Sequence, residues 1–315
     1  MVSTSRTRAV VRHGALRVPE ITALFWVVKA LSTALGESTS DFLVHAMNPF
    51  VAVGIGFVGF VVALLLQFSR RGYNAWNYWF AVAAVGVFGT MAADALHVGA
   101  GVPYPVSTAF YALVLAAVFV VWQRTEHTLS IHRIDTARRE LFYWLAVCAT
   151  FAMGTALGDL AAYTFHLGYL TSGVLFAGAI AVPAIGYRWF GWNPVLSFWL
   201  AYIMTRPLGA SVADYMAKPT IVSGLGWGDG PVAGALAVAM FAFVAYLGIT
   251  RTDVQTSRAE RRLVASSSTV RAGNPNERSI PAVEQPRLVA RSPAPRPAVR
   301  ILPSPTKDPD AWRTR

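Results

Sequence analysis

Residues 143–159 read YWLAVCATFAMGTALGD. The stretch opens on an aromatic pair, runs through apolar and small residues with no charge, and ends on a single acid. It recurs three more times: FWVVKALSTALGESTSD at 25–41, YWFAVAAVGVFGTMAAD at 78–94 and FWLAYIMTRPLGASVAD at 198–214. All four fit (F/Y)-W-x9-G-x4-D without a gap. Each copy is followed by a second, nearly uncharged apolar run, so the repeating unit is a helical hairpin.

Working outward, the apolar runs predict eight membrane spans, at 21–45, 50–68, 76–97, 105–123, 141–165, 170–187, 195–217 and 231–249. Each is long enough to cross roughly 30 Å of hydrocarbon. Turn residues such as Asn48-Pro49, Gly72 and Asn193-Pro194 separate them. Composition agrees, with 55% hydrophobic and only 14% charged residues in 315, where soluble domains run nearer a quarter charged. Two helices return the chain to its starting side, so the four repeats (about 21–68, 76–123, 141–187 and 195–249) share one orientation. Arg70, Arg71, Arg124, Arg133, Arg138, Arg139 and Arg188 fall in connections on one side, with the N-terminal arginines. Cytoplasmic loops carry that excess, so both termini are expected inside the cell.

The expected fold is therefore an all-α integral membrane protein: a basic N-terminus (1–20), an eight-helix membrane domain (21–250) and a basic tail (251–315). The N-terminus lacks the character of a cleaved signal peptide. The tail holds 13 of the 27 Lys and Arg against 6 of the 16 Asp and Glu, and its Pro, Arg and Ser content predicts disorder. The net charge of +11 is largely the tail's, which suits an anionic membrane surface and does not call for nucleic acid. Cys148 is the one cysteine and lies in an apolar run, so no disulfide and no thiolate metal cluster is expected.

Four ungapped repeats, each with its tryptophan, resemble a family of bacterial multi-pass membrane proteins built from four tandem two-helix repeats of unknown function. The resemblance covers roughly residues 20–250. It implies a protein of the bacterial inner membrane, and it brings no established activity with it.

Function has to come from the charges. Counted from the repeat tryptophan, positions 7, 11 and 15 residues on lie along one helix stripe. The stripes carry Thr33, Glu37 and Asp41; Gly86, Thr90 and Asp94; Phe151, Thr155 and Asp159; and Arg206, Ala210 and Asp214. Four aspartates thus recur at one depth, about 22 Å from the tryptophans. Acids are too costly to face lipid, so Asp41, Asp94, Asp159, Asp214 and Glu37 are expected to face a shared wet interior and bind a cation or protons. Lys29 and Arg206 would tune that charge. His45, His97 and His166 stand one or two turns beyond three of the aspartates and would add metal ligands at the outer mouth, while the fourth repeat has Lys218 there. Carboxylate and imidazole without thiol suits manganese, iron(II), cobalt, nickel or zinc.

The charged connection with Glu126, His127, His132 and Asp135 reads as a solvated linker. The sequence contains no Walker motif, no H-E-x-x-H and no G-x-S-x-G, so no enzyme activity is expected and no self-contained ATP-driven pump. The leading expectation is a secondary transporter or exporter of a small cation, such as divalent manganese, exchanged against protons. It needs no cofactor beyond a transported metal, and its partners are the bilayer and its substrate; assembly of several copies is compatible with the sequence. Alternatives are a carrier of a small organic substrate, with Arg206 holding its carboxylate, and a membrane scaffold or sensor.

Overall fold

The computed structural model describes residues 16–70 and 72–255. Arg71, the first fifteen residues and most of the tail expected to be disordered lie outside the described residues. Eight long α-helices make up the described chain: α1 (Ala23–Ala46), α2 (Pro49–Ser69), α3 (Ala75–Asp94), α4 (Tyr104–Glu126), α5 (Ala137–Asp159), α6 (Gly168–Phe190), α7 (Pro194–Ala217) and α8 (Asp229–Thr250). No strand occurs among the described residues. The starts of five helices are capped by side chains: Thr22, Asn48, Asn74, Thr136 and Asn193 each accept from a backbone N–H of the first turn. Pro49 and Pro194 occupy first-turn positions where a missing N–H costs nothing. Gly191, with φ of 66°, ends α6 in the left-handed conformation that glycine tolerates. Immediately after Asp94 and Asp159 the helices continue into single π-helical turns, Ala95–Gly99 and Leu160–Thr164.

Seven helices, α2 through α8, are long and apolar enough to cross a membrane. The sequence led us to expect eight spans. The exception, α1, has the length, but Lys29, Glu37 and Asp41 and a run of Ser and Thr lower its hydropathy. The packing explains why it can carry that composition. The odd helices form a central ring in which α1 packs on α3, α3 on α5, α5 on α7 and α7 back on α1. The even helices stand outside it, each against the odd helix of the following repeat: α2 on α3, α4 on α5, α6 on α7 and α8 on α1. Large apolar side chains on their outer faces, such as Phe57, Leu65, Leu113, Val174 and Phe241, are exposed, as expected of surfaces that meet lipid.

The repeat motif is the ring's joining device. At one end, the aromatic residue before each tryptophan touches the tryptophan of the next repeat. Ring centroids are 5.7 Å apart for Phe25 and Trp79, 5.6 Å for Tyr78 and Trp144, 6.2 Å for Tyr143 and Trp199, and 5.8 Å for Phe198 and Trp26, which closes the circle. These pairs form an aromatic floor. Trp79 and Trp144 are each only 1% exposed, so they pack the ring and do not anchor it to an interface.

Nearer the middle, each repeat glycine receives the stripe residue seven positions beyond the tryptophan of the next repeat. A β-carbon on Gly36 would lie 2.8 Å from the backbone of Gly86, and one on Gly89 would lie 2.9 Å from Phe151 Cβ. One on Gly154 would lie 2.5 Å from Arg206 Cβ, and one on Gly209 would lie 2.6 Å from Thr33 Cβ. No methyl group fits at these distances, so glycine sets how closely the odd helices approach.

Gly36→Ala should therefore destabilise the fold by about 1–3 kcal/mol, the usual cost of overpacking. Gly54→Ala, on the open face of α2 with nothing within 4 Å, should cost nothing and could gain up to about 1 kcal/mol from helix propensity. Unfolding of the two purified variants in detergent compares them directly.

Candidate functional site

The axis of the ring holds the most buried charges. Arg206 of α7 is 0% exposed and reaches all three other odd helices. One guanidinium nitrogen shares its two N–H groups among three oxygens: Glu37 Oε2 of α1 at 2.5 Å, the Thr155 hydroxyl of α5 at 2.6 Å and, at close range, the Thr90 hydroxyl of α3. The other donates to the Thr33 carbonyl at 3.1 Å. Thr90 also donates to Glu37 Oε2 at 3.2 Å. Arg206 can cross the axis because Gly154 leaves room beside its stem. A buried pair of this kind depends on the hydrogen bonds around it, and the three threonines join Glu37 in serving the two terminal nitrogens, while Nε has no partner among the described residues. Pro207 follows directly, so α7 lacks one backbone hydrogen bond at the same level.

Toward the aromatic floor lies Lys29, also fully buried. Its Nζ has no hydrogen-bond partner among the described residues and sits 4.1 Å from the Phe151 ring centroid and 4.3 Å from that of Tyr202. Arg206 meets the same ring, its guanidinium carbon 5.2 Å from the Phe151 centroid. Glu37 therefore pairs with Arg206 and not with Lys29, its neighbour two turns away on the same helix.

Beyond Arg206 the axis becomes acidic. Glu37, Asp41 and Asp214 each offer a carboxylate oxygen within 4.8 Å of the others, a spacing that could hold a metal ion. Lys218, just past the end of α7, lies among three carboxylates: it contacts Asp41 closely, Asp229 at 3.5 Å and Asp214 at 3.9 Å. Burial alone would push the Lys218 ammonium down, but the surrounding Asp41, Asp214 and Asp229 outweigh it and hold it above the ordinary lysine value. Asp94 and Asp159 are half-buried and make no hydrogen bond or ion pair among the described residues.

The three histidines are not part of the acidic trio. His45 is exposed and faces Asp229 Oδ2 at 3.3 Å. His97 bonds through Nδ1 to the Val102 carbonyl at 2.6 Å and stacks on Tyr104 with ring centroids 3.4 Å apart. His166 is exposed in the left-handed backbone region, with φ of 54°. Asp229, in the first turn of α8, had no place in the repeat pattern, yet it completes the cage around Lys218. Its only sequence signal is an acid at a helix start. Thr33, Thr90 and Thr155 were visible on the stripe, but their role around Arg206 was not.

The opposite end of the ring is closed. The segment before α1 lies over the aromatic floor: Arg17 pairs with the fully buried Glu140, which also accepts from Gln67 at 2.9 Å. Tyr73 donates to Asp253, whose backbone carbonyl accepts from Glu20 at 2.7 Å. Burial pushes the carboxyl of Asp253 above the usual carboxylate range. Beneath this strap the Tyr78 and Tyr143 hydroxyls bond to each other.

A ring of four helical hairpins around a charged axis, acidic at one end and sealed at the other, has the architecture of a multi-pass membrane protein. Its four repeats match the family described as Repeat of Unknown Function (DUF347) at residues 24–73, 77–128, 142–191 and 197–253, and the chain belongs to that family. No curated protein and no solved structure matches it.

Glu37→Gln leaves the Arg206 guanidinium buried without its counter-charge and should cost about 3–5 kcal/mol of stability. Adding Arg206→Met to that variant removes the orphaned charge and should recover a large part of the loss. A double-mutant cycle of unfolding in detergent measures the coupling.

Proposed function

We propose that the chain is a secondary transporter or exporter of a small cation in the bacterial inner membrane, with all eight helices crossing the bilayer and both termini in the cytoplasm. The observation that carries the proposal is the convergence of carboxylates from all four repeats at one end of a sealed axis. The basic connections lie at the tryptophan end, so the aspartate end would face outward. The half-polar α1 can cross because the rest of the ring and α2 and α8 shield it from lipid.

The donors favour a hard divalent ion. Glu37, Asp41 and Asp214 are all oxygen ligands, which suit manganese better than soft metals, and no imidazole joins them among the described residues. Lys218 then acts as a resident cation: its ammonium neutralises the site when the substrate is absent and moves aside when an ion arrives. Asp94 and Asp159, lacking partners, would receive the ion first or carry protons in exchange. Passage toward the cytoplasm requires the Arg206–Glu37 pair to separate, and the missing hydrogen bond at Pro207 lets α7 bend where that must happen.

A carrier of an organic carboxylate would need an apolar pocket beside Arg206. The guanidinium is instead taken up by Glu37 and the threonines, and an apolar cavity that could take an organic group lies elsewhere, against α6 and the start of α7. A scaffold or sensor needs no accessible acids, whereas Asp41, Asp94 and Asp159 are only half-buried, which favours the transport reading.

The test is manganese and proton flux in proteoliposomes. Asp94→Asn and Asp159→Asn should each lower manganese flux about tenfold or more, as expected when a charged ligand is lost, without loss of folding. Lys218→Gln should tighten apparent manganese affinity about tenfold, because the competing ammonium is gone. A correctly folded native chain that moves no cation would leave the ring a structural device and favour the scaffold.

A further inference from the structure

The four seams between even and odd helices are not equivalent. Near the tryptophan end, α2 buries Gln67, α4 buries Trp122 and α8 buries Leu247. In the matching turns α6 buries only Pro183 and Gly186, and Trp192 folds back over Gly186. With no large side chain to fill the seam, a cavity of about 680 Å³ remains between α6, the start of α7, Ile21 and the connection at residues 129–132. A volume of that size is typical of small-molecule sites.

The wall is mostly apolar, with Trp26, Ile180, Pro183 and Phe198, and its polar members are Ser130, His132, Tyr187 and Ser197. Ser197 lines the cavity, is 6% exposed, and its hydroxyl has no partner among the described residues. Thr150 and Thr205 on the ring donate back to the carbonyl three residues earlier, whereas Ser38, Ser40 and Ser211 share the unpartnered state of Ser197 but do not line this cavity. A buried hydroxyl left alone is costly, so Ser197 is suited to a ligand that brings an acceptor.

Depth and charge narrow the choice. Ser197 lies in the first turn of α7, and the exposed Tyr187, Trp189, Phe190 and Trp192 gather around the neighbouring end of α6. Exposed aromatics of this kind sit at the boundary of headgroups and hydrocarbon. The exposed Arg133 and Arg188 directly follow the lining residues His132 and Tyr187. We propose that the cavity holds one acyl chain of an anionic phospholipid, with an ester carbonyl accepting from Ser197 and the phosphate within reach of Arg133 and Arg188. The site depends on the protein being in the membrane but not on what the axis transports.

The test uses the full chain, purified in detergent, stripped of lipid and titrated in native mass spectrometry with phosphatidylglycerol and phosphatidylcholine of equal chain length. One phosphatidylglycerol should bind at least about fivefold more tightly than phosphatidylcholine, the scale of one favourable charge contact. Ala201→Phe, which fills the cavity, should abolish that single tight binding, and Ser197→Ala should weaken it about fivefold for both lipids. Arg133→Gln with Arg188→Gln, both on the surface and harmless to folding, should erase the preference between headgroups. Equal binding of the two lipids by the native chain, or a preference unchanged in the double arginine variant, would overturn the proposal.

Discussion

The contact on which everything else depends is the approach of one repeat's glycine to the next repeat's stripe residue. Gly36 meets Gly86, Gly89 meets Phe151, Gly154 meets Arg206 and Gly209 meets Thr33. Together with the aromatic pairs at the floor, it makes each repeat a socket for the one after it and the fourth a socket for the first. A hairpin of this sort cannot bury its polar helix alone. Four of them can, because the circle turns every odd helix inward and leaves the apolar even helices to face lipid.

Closure of the ring determines where charge can go. A guanidinium in a dry helical core needs acceptors, and the ring brings them to the two terminal nitrogens of Arg206 from three directions at once. The fourfold pattern is deliberately imperfect at the same level: position seven of the stripe is threonine, glycine, phenylalanine and arginine in turn. One long side chain therefore fills the space that four would crowd. Lys29 stays apart from the acids, held over the Phe151 and Tyr202 rings, while Arg206 takes Glu37. At the aspartate end, Lys218 is the one lysine or arginine set among Asp41, Asp214 and Asp229 among the described residues.

Much of this was legible in the residues. The ungapped motif revealed the four repeats, and the apolar runs located the helices that the structure contains. Periodicity correctly put Glu37 and the threonines on a common inward stripe. It could not say which charges would pair: Lys29 and Glu37 share a helix, but Phe151 and Tyr202 of other helices take the lysine, and Arg206 takes the acid. It also misjudged the surroundings of the histidines. A constant 100° per residue keeps His97 and His166 on the face of their aspartates, but π-helical turns intervene after Asp94 and Asp159 and change the angular step. Asp229 belongs to no repeat position and becomes part of the cage only because α8 closes the circle on α1.

The central claim is that the axis is wet at the aspartates and sealed below Phe151. Thiol labelling from one side of sealed vesicles tests it, in a chain whose single cysteine is removed by Cys148→Ala. Single cysteines introduced as Asp94→Cys, Asp159→Cys and Val147→Cys sample the open end and the dry floor; Val147 is 0% exposed. A membrane-impermeant reagent should modify the first two from one face only and leave the third untouched. Comparable labelling at Val147→Cys, or none at either aspartate position, would contradict the sealed ring.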